Sequence, residues 1–509
     1  MTTLESAIFR RLMRTSVNSM VLTELIEPLH DALPAVEHAG PDARVSGLCI
    51  DSRCARPGDL FFAAAGARAD GLRFAHEAVE RGAVAVLADR PAELPPQTAF
   101  VGVSDVSAAK AILADRFFGQ PSKRLDVVGI TGTNGKTTTS FMLRSILTMD
   151  GRSAGLIGTL GAWIGQRHEP LPNTTPDAVE LQRLLARMVD DNLSAAVMEV
   201  SSHALVQQRA SQVDFDVGVF TNLTPDHLDY HGTMDAYAAA KGRLFEMLDE
   251  DGTAVLNAAD PRSRQFRLGT RARVLQFALN APADVRADVL RLDSDGTQFH
   301  VSAPEFGLDL RIASRLVGRH NVENALAAAT AALALGLPPH AIATGLQGLT
   351  AVPGRLEPVS CGQDFRVLVD YAHTPDALEK VLDLLRPLTR GRLLVVFGCG
   401  GDRDRVKRPL MGRAVAEAAD RLFVTSDNPR GEDPQAILDD IFAGIDAEGR
   451  ARAVREPDRR EAIRRACAEA HGGDIVLIAG KGHETVQITG DEVLPFDDRQ
   501  VAREVLWSL

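Results

Sequence analysis

A glycine-rich loop at residues 132–139 (GTNGKTTT) constrains this chain more than any other feature. The apolar run at residues 125–130 predicts a buried strand before the loop, and apolar residues at helical spacing predict a helix after it. Glycines let backbone N–H groups close around an anion, while the helix N-terminus and Lys136 supply positive charge. The loop therefore predicts that the chain binds a nucleoside triphosphate, with the Thr137 hydroxyl facing Mg²⁺.

The loop departs from the standard phosphate-loop pattern at one position. That pattern requires glycine at residue 130, where this chain has Ile130, and Gly129 lies one residue early. A glycine-rich turn with a surface lysine is the alternative. The preceding strand, the glycines, Lys136 and the three threonines after it all agree with phosphate binding, so we favour that interpretation.

Strand-like runs alternate with helical patterns over most of the 509 residues, which predicts an α/β fold. At about 100–200 residues per domain, this length favours about three domains. We expect an N-terminal domain at residues 1–104 and a central domain of the P-loop type, with a parallel sheet, at residues 105–351. A C-terminal Rossmann-like α/β domain is expected at residues 352–509.

The chain carries 56 basic and 68 acidic residues, which gives a net charge of −12. This balance argues against a nucleic-acid-binding protein, because such proteins usually carry a basic face. An anionic ligand must then be held by local lysines, arginines, helix N-termini or a metal ion, since the overall field repels it.

Cysteine usage and hydropathy bear on the compartment. The five cysteines form no CxxC pair, which disfavours a disulfide framework or a zinc site and is typical of a reducing compartment. No apolar run reaches the length of about 18 residues that a membrane span needs. Residues 1–19 contain no long apolar stretch, so we expect no secretory signal. The sequence predicts a cytoplasmic enzyme, which we expect to be a monomer.

Two predicted strands of the central domain lead into residues that suit a metal site. The run at residues 195–200 ends in Glu199 and Val200, and the run at residues 217–220 is soon followed by His227. Because the carboxyl ends of parallel strands share one crevice, Glu199 and His227 are candidate ligands of a magnesium ion near the loop phosphates.

For three further residues of this region, the sequence pattern alone indicates a structural or solvent-exposed side chain and no catalytic role. We expect His203 and His231 to be hydrogen-bonded structural imidazoles. Lys241 lies in a predicted helix at residues 234–248, and its pattern predicts a solvated lysine.

The motifs of the central and C-terminal domains resemble those of the Mur ligase family, which builds the stem peptide of peptidoglycan. In the central domain they are the phosphate loop and residues 199–205 (EVSSHAL), 221–223 (TNL), 226–232 (DHLDYHG) and 318–321 (GRHN). In the C-terminal domain they are residues 370–376 (DYAHTPD), 400–404 (GGDRD), 427–430 (DNPR) and 480–484 (GKGHE). The resemblance runs from near Met20 to the C-terminus.

This resemblance implies an ATP-dependent amide ligase of peptidoglycan synthesis. ATP would phosphorylate the terminal carboxylate of UDP-N-acetylmuramoyl-L-alanyl-D-glutamate, and an incoming amine would attack the acyl phosphate to give an amide. Such phosphoryl transfer depends on positioning and charge neutralisation. By the family pattern, the ATP-binding residues are Gly132, Thr133, Asn134, Gly135, Lys136, Thr137, Thr138, Asn321, Arg355 and Asp370.

The resemblance also implies two magnesium ions. Thr137 and Glu199 would hold one ion, and His227 with a carbamylated lysine would hold the other. The lysine that matches this motif is Lys241. Carbamylation would convert its cation into a carboxylate-like ligand. The predicted catalytic residues are thus Lys136, Glu199, His227 and Lys241.

The nucleotide-sugar peptide is expected to contact the N-terminal and central domains. The residues that match the family's contacts are Ile50, Ser52, Thr174, Thr175, Ser201, Gln207 and Arg209. A surface charge is the alternative for Arg209, but pairing with a diphosphate or a carboxylate is a better use of its guanidinium. Some relatives read Gly-His-Gln where this chain has Gly66, Ala67 and Arg68, so the uridine contacts there would differ, with Arg68 as the residue that could compensate.

The C-terminal domain is expected to bind the amino acid, which the resemblance identifies as meso-2,6-diaminopimelate. This amino acid carries a second head with a carboxylate and an ammonium group, so a selective site needs an arginine fork and an acidic group. The candidate residues are Arg403, Asp427, Asn428, Pro429, Arg430, Gly480 and Glu484. A turn at Asn428 and Pro429 is compatible with this role. Gly480 and Lys481 lack the Ser/Thr of a phosphate loop, so no second such loop is predicted.

Three alternatives differ in what the chain would bind or join. A folylpolyglutamate synthetase or a lysine-adding ligase belongs to the same superfamily, but the motifs at residues 199–205 and 427–430 argue against both. A regulatory P-loop ATPase would need no amino-acid pocket, which would leave the C-terminal motifs without a role. ADP release that depends on both substrates separates these possibilities.

Overall fold

The computed structural model describes residues 19–66, 70–293 and 295–509. Within them the chain forms two compact units: unit 1 holds the described residues up to 286 with 302–308 and 323–345, and unit 2 holds the rest. The expectations for the first 18 residues and for Ala67 and Arg68 lie outside the described ranges, and the domain boundaries at 104 and 351 stay predictions. None of the described helices combines the length and the apolar character that a membrane crossing requires.

The N-terminal part of unit 1 is a sheet covered on both faces. Its strands pair in the order Val36–Ala39, Ala99–Val103, Ala85–Ala88, Asp59–Ala63 and Gly47–Cys49. The first pair is antiparallel and the others are parallel. Helices Leu22–Ala32 and Val106–Phe117 pack on one face and helix Ala75–Glu80 on the other, so the inner strands Ala85–Ala88 and Ala99–Val103 are continuous apolar runs. Two short strands, Met20–Val21 and Arg44–Val45, pair beside this sheet.

The larger sheet of unit 1 has a parallel core. Its strands pair in the order Arg167–Glu169, Gly161–Ile164, Ala154–Gly158, Ala195–Glu199, Asp126–Thr131, Val217–Phe220, Thr253–Asn257 and Arg273–Leu279. The strands from Ala154–Gly158 onward are parallel, and the first two are antiparallel. The sheet is therefore mixed. A tight turn after Gly158 leads into the antiparallel strand Gly161–Ile164, which lies at one edge of the predicted parallel core.

Six helices of unit 1 follow or lie between the strands of this sheet, and three of them begin at polar caps. They are Lys136–Met149, Ala178–Asp190, Ser202–Val206, Leu228–His231, Met234–Glu246 and Ser263–Gly269. Asp177 and Thr233 cap two of them by accepting hydrogen bonds from backbone N–H groups in the first turn. The helix predicted at residues 234–248 ends at Glu246, two residues early.

Residues 285–348 are divided between the two units. Their elements are the strands Val285–Asp293, Gly296–Ala303 and Leu308–Ser314 and the helices Arg319–Ala334 and Pro339–Gly348. Short 3₁₀ helices lie at Ser52–Cys54, Gly71–Phe74, Pro121–Arg124, Pro304–Phe306 and Arg386–Leu388.

Unit 2 contains a doubly covered sheet, as expected of a Rossmann-like domain. Its strands pair in the order Glu357–Val359, Arg366–Asp370, Ile475–Ala479, Leu393–Phe397, Arg421–Val424 and Ala453–Arg455. All pairs are parallel except the first. Helices Pro375–Leu385, Lys407–Ala418 and Pro434–Phe442 bury their apolar sides on one face, and Arg459–Glu469 and Asp498–Ser508 on the other. Helix Ala447–Arg452 and the hairpin of Val486–Thr489 with Glu492–Pro495 complete the unit. The predicted α/β fold is confirmed.

Candidate active site

The glycine-rich loop joins a strand to a helix of unit 1, as the sequence predicts. Gly132 and Gly135 have φ angles of 146° and 87°, and a Cβ on Gly135 would lie 2.2 Å from Asn324 Oδ1. Lys136 Nζ donates to the carbonyl oxygens of Gly132 and Thr133, each over 2.8 Å. The loop thus needs glycine at both turning points and is closed by its own lysine.

The residues that follow the neighbouring strand Val217–Phe220 are hydrogen-bonded to the phosphate loop. Thr221 Oγ1 donates to the carbonyl oxygen of Asn134 over 2.6 Å. Asn222 uses both its side chain and its backbone: Oδ1 accepts from Asn134 N–H over 3.0 Å, and its carbonyl accepts from Thr133 N–H over 2.8 Å. The TNL motif therefore positions the phosphate loop.

Glu199 ends the strand on the other side of the loop and is fully buried. Its Oε2 accepts from the hydroxyls of Thr137 and Thr159, each over 3.0 Å, and Oε1 accepts from Thr159 N–H over 2.9 Å. The Thr159 hydroxyl also lies 3.1 Å from that of Thr174. Sequence reasoning missed Thr159, although it directly follows a parallel strand, and strand ends share one crevice.

The oxygens around Glu199 suit a magnesium ion. The Thr137 hydroxyl and the Glu199 carboxylate lie side by side next to the phosphate loop, and Mg²⁺ prefers oxygen ligands completed by phosphates and water. Among the residues that the structure describes, no group of three or more His, Cys, Asp or Glu side chains could hold a metal by itself. The donor set thus fits Mg²⁺ bound together with nucleotide phosphates, rather than a zinc-type site.

Lys241 is buried, with 1% of its surface exposed, so its interpretation by pattern as a solvated lysine is wrong. The helix turns this side chain inward onto the phosphate loop, where Nζ donates to the Gly132 carbonyl over 2.8 Å and lies 4.5 Å from the ring centre of Tyr237. Burial lowers the pKa of Lys241 well below its ordinary value, and the nearby charge of Lys136 lowers it further. A buried lysine of low pKa is more often neutral and hence nucleophilic.

His227 and Lys241 share Tyr237 as a neighbour. The backbone of His227 is left-handed, with φ of 52°, and half of its side chain is exposed. The ring centres of His227 and Tyr237 are 6.4 Å apart, and Lys241 Nζ lies 4.5 Å from the centre of the Tyr237 ring. Sequence reasoning did not select Tyr237, whose hydroxyl lies 3.2 Å from Thr133 Oγ1 and thereby ties the helix to the loop.

The two neighbouring histidines have structural partners. His231 Nε2 lies 2.9 Å from Ser202 Oγ, which confirms a hydrogen-bonded imidazole. His203 packs against the ring of Tyr230, with ring centres 4.3 Å apart and ring planes tilted by 37°. Burial lowers the pKa of both histidines, so both favour the neutral form.

The residues expected to contact the sugar peptide gather beside Glu199. These are Thr174, Thr175, Ser201, Gln207 and Arg209. Thr175 Oγ1 donates to the Glu199 carbonyl over 2.8 Å and accepts from Ser201 N–H over 3.0 Å. Arg209 donates to the Thr175 carbonyl over 2.8 Å and to Gln207 Oε1. The group is thus one hydrogen-bonded patch that presents hydroxyl, amide and guanidinium groups.

Ile50 and Ser52 lie in the N-terminal sheet region. The side chain of Ile50 is exposed, whereas Ser52 is buried and donates to Glu77 Oε2 over 2.7 Å. Their contact with the nucleotide sugar stays a prediction.

Three predicted ATP contacts lie in unit 2. The Arg355 guanidinium stacks over the ring of Tyr371 at 5.1 Å. Asp370 accepts two backbone N–H groups, and its burial raises the pKa of its carboxyl group. Asn321 Nδ2 donates to a backbone carbonyl over 2.8 Å. Their role toward ATP stays a prediction.

The DNPR and GKGHE motifs meet in unit 2. A Cβ on Gly480 would lie 2.9 Å from Asp427 Oδ2, and Asn428 Nδ2 donates to Glu484 Oε2 over 2.9 Å. Lys481, a further residue that sequence reasoning did not select, is fully buried against Asn428 and Glu484. In the sequence, only its position in the GKGHE motif after a predicted strand indicated a role for Lys481.

Two arginines flank the same loops. Arg430 has a left-handed φ of 52° and donates through Nη1 to the Gly401 carbonyl over 2.9 Å. A Cβ on Gly400 would lie 2.9 Å from Arg430 Nη1 and 3.8 Å from Arg403 Cγ. A Cβ on Gly401 would collide with the carbonyl oxygen of Pro429 at 1.8 Å. The glycines therefore let both arginines and the proline turn pack together.

Profiles of known families match most of the chain. The profile described as "Mur ligase family, catalytic domain" matches residues 44–117. "Mur ligase middle domain" matches residues 130–332, and "Mur ligase, glutamate ligase domain" matches residues 354–482.

Named relatives cover nearly the whole chain. It is 49% identical over 472 residues to the UDP-N-acetylmuramoyl-L-alanyl-D-glutamate–2,6-diaminopimelate ligase of Geobacillus thermodenitrificans, covering 92% of this chain and 96% of that one. It is 45% identical over 490 residues to the ligase of the same name from Syntrophomonas wolfei, covering 96% and 99%. A solved structure of this name matches with a TM-score of 0.68 at 33% identity, covering 96% and 99%. Similarity of this extent shows that the chain belongs to the Mur ligase family.

Proposed function

We propose that this chain joins meso-2,6-diaminopimelate to UDP-N-acetylmuramoyl-L-alanyl-D-glutamate in an ATP-dependent, ADP-forming reaction of peptidoglycan synthesis. The observation that carries the proposal is that one chain holds a phosphate loop beside a buried carboxylate and, separately, a cluster of arginine and acidic side chains in unit 2. Its relatives of 45–49% identity bear the name of that ligase. We place the reaction in the cytoplasm, since cysteines without CxxC pairs are typical of a reducing compartment.

The phosphate loop would hold ATP. The N-terminus of the following helix would face the phosphates, and Lys136 would exchange its two carbonyl partners for phosphate oxygens. Thr137 and Glu199 would hold a magnesium ion, which supplies charge neutralisation for phosphoryl transfer.

Lys241 would carry a carbamate. Its amine is buried and has a lowered pKa, which favours the neutral form that reacts with carbon dioxide. The carbamate would remove a positive charge beside Lys136 and, with His227, would offer ligands to a second magnesium ion. This role is supported by the position of Lys241 at the Gly132 carbonyl.

The acceptor would bind beside Glu199. Arg209, Ser201 and Thr174 are linked through Thr175 and Thr159 to Glu199, and they would orient the glutamate carboxylate toward the γ-phosphate of ATP. Ile50 and Ser52 would contact the nucleotide end of the same substrate.

The amino acid would bind in unit 2. Arg430 and Arg403 would pair with the carboxylate of its distal head, and Asp427 and Glu484 with the ammonium group. The other amino group would attack the acyl phosphate, and collapse of the tetrahedral intermediate would release phosphate and leave an amide.

A coupled assay of ADP release tests this function. The proposal expects release only when ATP, the nucleotide dipeptide and diaminopimelate are all present. ATP hydrolysis that is unaffected by the amino acid would instead favour a regulatory ATPase.

A further inference from the structure

Lys481 is a fully buried cation at the centre of the expected amino-acid pocket. A lysine is almost never fully buried unless it is paired. Its Nζ lies 3.1 Å from Asn428 Oδ1 and 3.1 Å from Glu484 Oε2. The ammonium group therefore connects the loop after strand Arg421–Val424 with its own loop after strand Ile475–Ala479.

The hydrogen bonds around Asn428 allow one orientation of its amide. Oδ1 accepts from Lys481 Nζ and, over 3.0 Å, from Ile488 N–H, while Nδ2 donates to Glu484 Oε2 over 2.9 Å. A lysine ammonium only donates and a carboxylate oxygen only accepts. Turning the amide over would place two donors against Nδ2 and an acceptor against Oδ1. Lys481 therefore helps to keep Nδ2 of Asn428 directed at the Glu484 carboxylate.

One oxygen of the Glu484 carboxylate is hydrogen-bonded to buried side chains. Oε2 accepts from both Asn428 and Lys481, and the side chain is 30% exposed while that of Lys481 is not exposed at all. The carboxylate is thus anchored at one oxygen, and its exposed part is what a ligand can reach. Removing Lys481 would leave a partly buried carboxylate without its cation, which is costly.

We propose that Lys481 is a positioning residue for amino-acid selection: together with the Asn428 amide that it locks, it holds the Glu484 carboxylate in the orientation that receives the ligand ammonium group. This role rests on the proposed function, because it takes the pocket to be that of diaminopimelate. Lys481 does not touch the ligand in this account and acts through its two partners. Its loss should therefore weaken amino-acid binding and leave binding of ATP and of the nucleotide dipeptide intact.

Steady-state kinetics of Lys481→Met, Glu484→Gln and the double variant test this role. We expect Lys481→Met to raise the KM for diaminopimelate about tenfold or more, as for loss of a hydrogen bond to a charged group, with the other two KM values within about twofold. In the double variant the effects should be clearly less than additive, because Lys481 acts through Glu484. Lys380→Met, at an exposed helical lysine of unit 2, is the matched control and should match wild type.

Two results would overturn the role of Lys481 while leaving the proposed function in place. The first is an equal rise in all three KM values of Lys481→Met. The second is a double variant whose change in the KM for diaminopimelate equals the combined changes of the two single variants, while the wild type is active. A wild-type enzyme whose ADP release ignores diaminopimelate would overturn the proposed function and this role with it. If Lys481→Met does not fold, Lys481→Gln, which keeps a donor without the charge, must show the same selective rise.

Discussion

Lys136 and Lys241 donate hydrogen bonds to the same atom, the carbonyl oxygen of Gly132, each over 2.8 Å. Two ammonium groups at one acceptor repel each other, and this repulsion adds to burial in lowering the pKa of Lys241. A carbamate on Lys241 would replace that repulsion with attraction. The arrangement explains physically why a buried lysine stands beside the phosphate loop of the proposed ligase.

Lys241→Ala should be nearly inactive, with kcat reduced more than about 100-fold, because it removes the proposed carbamate ligand of a magnesium ion that would neutralise charge in phosphoryl transfer. Added short carboxylates should restore part of the rate by occupying the space left. ADP release with and without acetate measures both effects, and Lys380→Ala is the control at an exposed lysine. Full activity without rescue would remove Lys241 from the site.

Glu199→Gln should lower kcat by about 100-fold and raise the magnesium concentration needed for half-maximal rate. The amide keeps the shape of the side chain but loses the charge, and its NH₂ group would face hydroxyls that now donate to Oε2. Titration of the rate with magnesium measures the change, with the exposed Glu250→Gln as control. An unchanged magnesium dependence would argue against Glu199 as a ligand.

Gly135→Ala should weaken ATP binding and lower stability, because residue 135 has φ of 87° and a Cβ there would lie 2.2 Å from Asn324 Oδ1. Gly269→Ala is the matched control, since nothing lies within 4 Å of its Cβ position. Nucleotide titration by calorimetry and thermal unfolding compare the two variants. Equal ATP affinity in both would show that the loop tolerates a side chain.

Arg430→Ala should raise the KM for diaminopimelate far more than the KM for ATP, by about tenfold or more if it pairs with a carboxylate. Arg464→Ala, at an exposed helical arginine of unit 2, should change neither value. Equal effects of Arg430→Ala on both KM values would refute its assignment to the amino acid.

His483 should make stability depend on pH. Its Nδ1 is buried without a hydrogen-bond partner among the described residues, and burial together with the charges of Arg355 and Arg499 lowers its pKa from 6.5 to about 4. Between these values the unfolded chain binds a proton that the folded chain does not. The free energy of unfolding should therefore fall as pH drops from 6.5 to about 4, by at most about 3 kcal/mol.

Thermal unfolding of wild type and His483→Gln at pH 7 and pH 4.5 checks this dependence. The advantage of wild type in Tm should shrink at the lower pH, since glutamine does not titrate. A constant difference would show that His483 stays neutral in both states or charged in both.

Sequence reasoning found the elements that local patterns determine. The strand before the phosphate loop and the strand ending at Glu199 appear within one residue of the expected bounds, and a helix follows the loop as expected. Apolar periodicity and glycine spacing carry that information directly. The hairpin after Gly158 was not foreseen, because short edge strands carry little periodicity.

Side chains defined by tertiary contact could not be read from the pattern. Lys241 sits in an ordinary helical sequence, and only the packing of that helix on the loop shows that it is buried. Similarly, the role of Lys481 depends on its hydrogen bond to Asn428, which lies 53 residues away along the chain. Thr159 is the exception, since its place after a parallel strand was a usable signal.

The most direct test of the central claim is the mass of the nucleotide product, measured together with ADP after incubation with ATP, magnesium, the nucleotide dipeptide and diaminopimelate. The account predicts that the nucleotide gains the mass of one diaminopimelate less one water, with one ADP formed per product. ADP that accumulates while the mass of the nucleotide stays unchanged would contradict it.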